Sequence, residues 1–448
     1  MNRGGQTGPL LRAWETLCHR SGTRAAVTDA ATGETVSFAE LDELARQWES
    51  RLSAYSLRRR AVTLRLPNGV DWLAAFVALR RLGAVVAPLD AGAPAVELAT
   101  ANRLLDTVLQ VTEVEIESLP GKRRWQPGLA LVKLTSGSTG APKPIPFTEA
   151  ELCADADNIL ATMGFDARDT NFALLPFAHS YALGNLVVPL LARGVPLVVG
   201  SGAFPHVIAE EVARTGATVL PTVPAVLEGL ARAGELSLKP LRLVISAAAP
   251  LSPELARRFG ETAGLLVHNF YGSSETGGIA YDRDGQAGLS GESVGTAMAG
   301  VRLERTRAGR LRVTSAAVSG YGLPRLPDGN VSRTLADRVE FTAAGGLVIR
   351  GRADRIVKCA GVRLDLARVE LVAAHVAGVR QTVAFYEPAG ERVFLVYAGS
   401  VPVTDVGQTL KAAFLRLGRR LHVRQLEALP LTGRGKIDHR ALRQTVLG

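Results

Sequence analysis

A chain of 448 residues exceeds one small domain, and 47% hydrophobic against 21% charged residues supplies a large core and excludes global disorder. The formal charge of +10 favours anionic partners: nucleotides, coenzyme A, an acidic carrier protein or nucleic acid. The three cysteines, Cys18, Cys153 and Cys359, have no paired spacing, which excludes a disulfide frame and a zinc cluster.

The first eleven residues are Gly-rich and lack the apolar core of a signal peptide. Helical spacing of Leu41, Leu44, Ala45, Trp48 and Leu52 behind Ser37 predicts a capped helix over 37–52. A strand over 61–66, an amphipathic helix over 70–82 closed by Gly83, and a strand over 84–88 follow. This β-α-β rhythm predicts parallel sheet covered by helices. It recurs as a strand at 129–134, a helix at 149–163, a strand at 171–175, a helix at 183–191 and a strand at 196–199. Segments 207–215, 217–223, 224–233 and 241–246 continue the alternation. The apolar stretch 181–199 is broken by Gly184, Pro189, Arg193, Gly194 and Pro196, so it reads as buried elements and no membrane span is expected. With free thiols, a cytoplasmic location is the expectation.

After about residue 285 the character changes to short strands and turns, punctuated by Gly291, Gly295, Gly300, Gly309 and Gly320. Beyond 349 a small α+β unit is predicted, with helices at 366–375 and 409–417 and strands at 379–386 and 392–398. The expected fold class is therefore α/β. A large N-terminal α/β domain with parallel sheets and a β-rich subdomain spans 1–353, and a small mobile C-terminal α+β domain spans 354–448.

Five stretches carry chemistry. In the first, Thr135, Ser136, Gly137, Ser138, Thr139, Gly140, Ala141, Pro142 and Lys143 run from a predicted strand towards a helix. Glycines admit close approach of a ligand, successive amides make an anion-binding concavity, and hydroxyls with a lysine suit a polyphosphate. It is not a Walker loop, since its lysine follows proline and no Ser or Thr comes after. The second is Pro176-Phe177-Ala178-His179-Ser180-Tyr181-Ala182-Leu183, where a lone histidine by itself also fits a hydrogen-bonded core residue. The third is Ser246-Ala247-Ala248-Ala249-Pro250-Leu251. The fourth is Tyr271-Gly272-Ser273-Ser274-Glu275, which offers an aromatic face for a purine and a hard carboxylate for magnesium. The fifth begins at Asp337 and takes in Gly351-Arg352-Ala353-Asp354, Lys358 and Gly361, ending in the Gly-rich run Leu431-Thr432-Gly433-Arg434-Gly435-Lys436-Ile437-Asp438.

In this order the stretches resemble the adenylate-forming superfamily of acyl- and aryl-CoA synthetases, luciferase and nonribosomal peptide synthetase adenylation domains. The resemblance runs over roughly 37–440. It implies that 135–143 is the phosphate loop, with Pro144 where the family usually has glycine. It implies that His179 lies in the acyl pocket, with Tyr181 and 221–227 beside it, and that Ala248 and Ala249 pass along adenine, with Ala247 and Ala248 standing where the family has glycines. Tyr271 would then stack on adenine beside Gly272, Ser274 would face the α-phosphate in place of the usual threonine, and Glu275 would bind Mg²⁺. Asp337 would hold the ribose, Arg352 the ribose or phosphate, Asp354 would be the hinge, Gly361 would lie near the pantetheine path, and Lys436 would be the catalytic lysine.

The activity so implied is ATP-dependent conversion of an aryl or fatty acyl carboxylic acid to an acyl-adenylate, then a thioester. Coenzyme A is the expected acceptor, and the phosphopantetheine thiol of an acyl carrier protein is the alternative. A non-catalytic nucleotide-binding protein is a reading of a different class, against which Glu275 and Lys436 stand. A nucleic-acid partner rests on net charge alone, with no matching motif, so none is expected.

Overall fold

The computed structural model describes residues 8–135, 142–234, 236–359, 362–431 and 437–448. They divide into two compact units. The first comprises Met1–Leu303, Val313–Arg333 and Thr342–Leu347; the second comprises Glu304–Arg312, Thr334–Phe341 and Val348–Gly448.

Two sheets build the first unit. In one, strands Leu109–Thr112, Ala61–Arg65, Val85–Pro88 and Leu129–Thr135 run parallel, flanked by the antiparallel edge strands Ile116–Ser118 and Lys143–Thr148. In the other, Ala25–Asp29, Leu197–Val199, Asn171–Ala173, Val219–Thr222, Leu243–Ser246 and Val267–Ser273 form a parallel series. The hairpin partners Thr35–Ser37 and Gly277–Tyr281 then Thr296–Ala297 add antiparallel edges. The alternating pattern thus gives parallel sheets, as expected. Connections as short as Thr112 to Ile116 and Ser273 to Gly277 can join only antiparallel neighbours, which sets those pairs apart from the parallel series.

Helices fill the space between. The helix Phe38–Leu52 starts at a capping box in which Ser37 and Glu40 satisfy each other's amides. The helix Glu149–Met163 starts the same way from Thr148 and Glu151. The helix Val70–Arg81 is not amphipathic: residues 72–80 are all buried. A helix covered on every side belongs in the middle of a core, and its side chains share one cluster with Leu64, Val86 and Leu109 of one sheet and Leu197 of the other.

The helix Pro9–Ser21 and the strand Lys143–Thr148 were not legible in the residue pattern. Pro144 and Pro146 argue against a strand, yet an edge strand tolerates proline because its outward amides need no partner. The loop at 135–143 therefore does not lead straight into a helix. Its two ends, Thr135 and Lys143, pair across antiparallel strands. Four further strands, Arg302–Arg305, Arg310–Ser315, Val331–Phe341 and Leu347–Arg352, follow, and the division between the units runs through them.

In the second unit, Val379–Glu387 and Arg392–Gly399 pair antiparallel, and Leu421–Leu426 pairs parallel to the latter. Strand alternation splits the residues cleanly. Leu395 and Tyr397 enter one core with the helices Leu366–Ala374 and Val403–Ala413, while Phe394 and Val396 enter another with Leu429 and Leu442. The second helix starts earlier than 409 because Pro402 fixes its N-cap, and residues 415–417 fall in a separate 3-10 turn. No helix among the described residues is long and apolar enough to cross a membrane.

Candidate functional site

In open α/β sheets ligands lie beyond the carboxyl ends of the strands, and the sequence motifs of the first unit lie there. Asn68 follows Ala61–Arg65, Asp90 follows Val85–Pro88, and Thr135 ends its strand. From the other sheet, His179 follows Asn171–Ala173, Ala247 to Ala249 follow Leu243–Ser246, and Tyr271 to Ser273 end Val267–Ser273.

Side chains tie these ends together. Asn68 brackets the segment before His179: its Nδ2 donates to Leu175 O at 2.8 Å, and its Oδ1 accepts from Phe177 N at 2.8 Å. His179 Nε2 lies 3.1 Å from Asp90 Oδ2. The Ser180 hydroxyl donates to Ser274 Oγ at 3.0 Å. The Tyr181 hydroxyl donates to Ile245 O at 3.0 Å and its ring packs 5.5 Å from Phe270. Burial holds the Tyr181 phenol far above its ordinary range, so it serves as a neutral donor. A cavity of about 190 Å³ opens between Asn68, Asp90, Pro176 and Phe177.

The Tyr271–Glu275 stretch sits at a hairpin turn. Ser273 Oγ accepts from Glu275 N at 3.3 Å, and Glu275 O accepts from Ser319 N at 3.0 Å. Beneath the turn, Asp155 Oδ1 accepts from Gly278 N at 2.8 Å. Gly277 must be glycine: its φ is +72°, and a Cβ would fall 2.2 Å from Asp155 Oδ1. Lys133, two residues before the loop, is only 5% exposed, with its Nζ 4.3 Å from the Phe147 ring centre. Burial pulls its ammonium below the usual range, against the opposing pull of Asp155 and Glu275. Burial likewise pushes the Asp155 carboxyl up, opposed by Lys133 and the Gly278 amide.

In the second unit, Arg352 Nη1 lies 3.7 Å from Asp337 Oδ2, with the Asp337 side chain 10% exposed, so two residues singled out far apart in sequence are neighbours. Asp354 falls in the 3-10 turn Ala353–Arg355. Ser136, Gly137, Ser138, Thr139, Gly140, Gly361 and Lys436 lie outside the described residues. Sequence reasoning missed Asn68, Asp90, Lys133 and Asp155 as parts of the site. Lys133 had a signal, a charge in an apolar strand; Asp90 and Asp155 had none, because their partners are 89 and 123 positions away.

A model of the family described as AMP-binding enzyme matches residues 14–127 and 120–305, more than half of the chain. The chain belongs to the AMP-binding, adenylate-forming enzyme family. It is 29% identical over 353 residues to the 2-hydroxy-7-methoxy-5-methyl-1-naphthoate–CoA ligase of Streptomyces carzinostaticus, over 70% of this chain and 62% of that ligase. It is 27% identical over 420 residues to a probable non-canonical nonribosomal peptide synthetase, CymA, of Salinispora arenicola, over 86% of this chain and 5% of that synthetase. The chain thus spans less than two thirds of each. Among solved structures, Klebsiella oxytoca NpsA in complex with 3-hydroxyanthranilyl-AMSN superposes with a TM-score of 0.82 over 99% of this chain and 100% of that one, at 17% identity, a likeness of fold.

Membership gives the geometry a frame. Among the described residues no three His, Cys, Asp or Glu side chains form a metal cluster. The donor set still fits magnesium, which is commonly held by one or two carboxylates together with substrate phosphates and waters. Glu275, half-buried at the turn, offers one such carboxylate.

Proposed function

We propose that this adenylate-forming enzyme activates an aryl or fatty acyl carboxylic acid with ATP and passes the acyl group to a thiol, coenzyme A in the first instance. The observation that carries the reading is the Ser180–Ser274 hydrogen bond, which holds the His179 segment against the Tyr271–Glu275 turn within one unit. An acid-facing group and a nucleotide-facing group are thereby adjacent, as the reaction needs.

In the first half-reaction a carboxylate oxygen attacks the α-phosphorus of ATP, and pyrophosphate leaves with the electron pair of the broken P–O bond. The chain's part is to position and to neutralise charge. Tyr271 offers a face to adenine, Ser274 a hydroxyl to the α-phosphate, and Thr135 to Lys143 amides, hydroxyls and a cation to the phosphates. Asp337 accepts from the ribose hydroxyls, with Arg352 beside it. Lys436 stabilises charge as it builds on the α-phosphate. Glu275 would hold Mg²⁺, which would supply charge neutralisation on the phosphates. In the second half-reaction the thiol sulfur attacks the acyl carbon, AMP leaves, and a thioester remains. Gly361 lines the thiol's path and Asp354 is the hinge between domains 1–353 and 354–448.

The named CoA ligase among the relatives favours coenzyme A; the nonribosomal synthetase keeps a carrier-protein thiol as the second reading. The test offers a panel of aryl and fatty acids with ATP, then each thiol, and follows pyrophosphate and AMP. Acid-dependent pyrophosphate exchange is expected, with AMP release accelerated by coenzyme A. Exchange at background across the whole panel would defeat the reading in favour of a non-catalytic nucleotide binder, and acceleration only by a carrier protein would move the acceptor.

A further inference from the structure

Asp90 belongs to the site by position, yet the chemistry above does not use it. Its two carboxylate oxygens are divided between two tasks. Oδ1 accepts from Gly92 N at 2.8 Å, while the Asp90 carbonyl accepts from Ala93 N at 3.0 Å, so a local turn fixes the carboxylate. Oδ2 points to His179 Nε2 at 3.1 Å. The two side chains are 15% and 17% exposed, respectively, so the contact is largely shielded from water.

The backbone of His179 is held independently. Its amide donates to Pro176 O at 2.9 Å, its carbonyl accepts from Leu183 N at 2.8 Å, and Asn68 clamps the residues before it. With the backbone held, the ring retains its own torsions, and the carboxylate restrains those. An ionised carboxylate only accepts, so its partner nitrogen must carry the proton. A hydrogen bond at one ring nitrogen sets the state of the other. Carboxylates orient catalytic imidazoles by this logic on unrelated folds.

We propose that Asp90 is a positioning residue for His179, holding its imidazole in one orientation with Nε2 protonated while the acid's carboxylate is brought up to ATP. The proposal rests on the acid-activating reading. No bond forms or breaks at Asp90, and no proton changes hands there.

A purely structural tie between the two sheets would survive Asp90→Asn, which keeps size and hydrogen-bonding but can donate to Nε2 and so releases the tautomer. For the full-length chain, Asp90→Asn is expected to lower kcat of acid-dependent pyrophosphate exchange on the order of 10²-fold, the scale of a misplaced catalytic group. KM for ATP and Tm are expected to stay near wild type, and Asp90→Glu to restore part of kcat. In a His179→Phe background Asp90→Asn should cost nothing more, because the ring it positions is gone. Unchanged kcat in Asp90→Asn, or losses that multiply in the double variant, would overturn the proposal. If wild type exchanges no acid in the panel, the acid-activating reading fails instead. The ¹⁵N shifts of the His179 ring then decide separately: a change of tautomer in Asp90→Asn supports the positioning role, and identical shifts overturn it.

Discussion

Ala248 adopts φ +69° in the exposed turn after the strand Leu243–Ser246. Left-handed backbone costs an L-residue with a Cβ roughly 1–2 kcal/mol. The family resemblance places glycine there, and glycine accepts this conformation without that cost, though it loses more entropy on folding. Ala248→Gly is therefore expected to stabilise the chain by up to about 1 kcal/mol, read by equilibrium denaturation. A destabilised variant would show that the methyl is needed where it stands. The sequence revealed the substitution but not its strain, because the turn's conformation is set by the strand that precedes it. The same limit explains Asp90. Its alignment with His179 depends on strands of two different sheets ending side by side, and no local periodicity encodes that.

The start of the helix Glu149–Met163 shows how elements are locked together. Glu149 is buried, and its Oε2 accepts from Leu10 N at 3.0 Å and Leu11 N at 3.3 Å, capping the first turn of Pro9–Ser21. Its Oε1 accepts from Arg80 Nη2 at 2.9 Å, and Arg80 ends a helix buried on all sides. One carboxylate on a third helix thus binds groups of two others. Glu149→Ala leaves the buried Arg80 charge and two amides without that partner, and is expected to cost about 3–5 kcal/mol. The midpoint of urea unfolding measures it, and Arg80→Met in the same chain should recover part of the loss. A cost below about 1 kcal/mol, the scale of an exposed pair, would mean that water replaces the carboxylate. The sequence read Glu149 as a helix start and gave no hint of its reach, since its partners are 139 and 69 positions away.

Helix 183–191 shows a different limit at the same scale. Periodicity predicts one helix, and the chain forms a π turn over Leu183–Val187 before Val188–Arg193. Pro189 is the cause: it has no amide to give to the carbonyl four residues back. That carbonyl, Asn185 O, accepts instead from Asn171 Nδ2 at 3.2 Å. The proline was visible in the sequence, but the asparagine that compensates for it was not.

At the scale of the molecule, the second unit has what it needs to fold around its own sheet. Buried Leu395 and Tyr397 pack on one face and Phe394 and Val396 on the other. Asp438 caps the last helix by accepting from Arg440 N and Ala441 N, both at 3.0 Å. Reading Tm beside the rate separates a loss of chemistry from a loss of fold in a variant of Lys436. A lysine offers a compact charge on a long stem, suited to meeting charge that builds on a phosphate. Losing one such contact commonly costs about 10²–10³ in rate. Lys436→Ala is therefore expected to lower pyrophosphate release by that factor while leaving thioester formation from preformed acyl-adenylate intact. The asymmetry is the point: if the C-terminal domain turns at Asp354 between half-reactions, Lys436 attends only the first. Equal losses in both half-reactions, at unchanged Tm, would mean that Lys436 stays at the site throughout, and the hinge at Asp354 would lose its purpose.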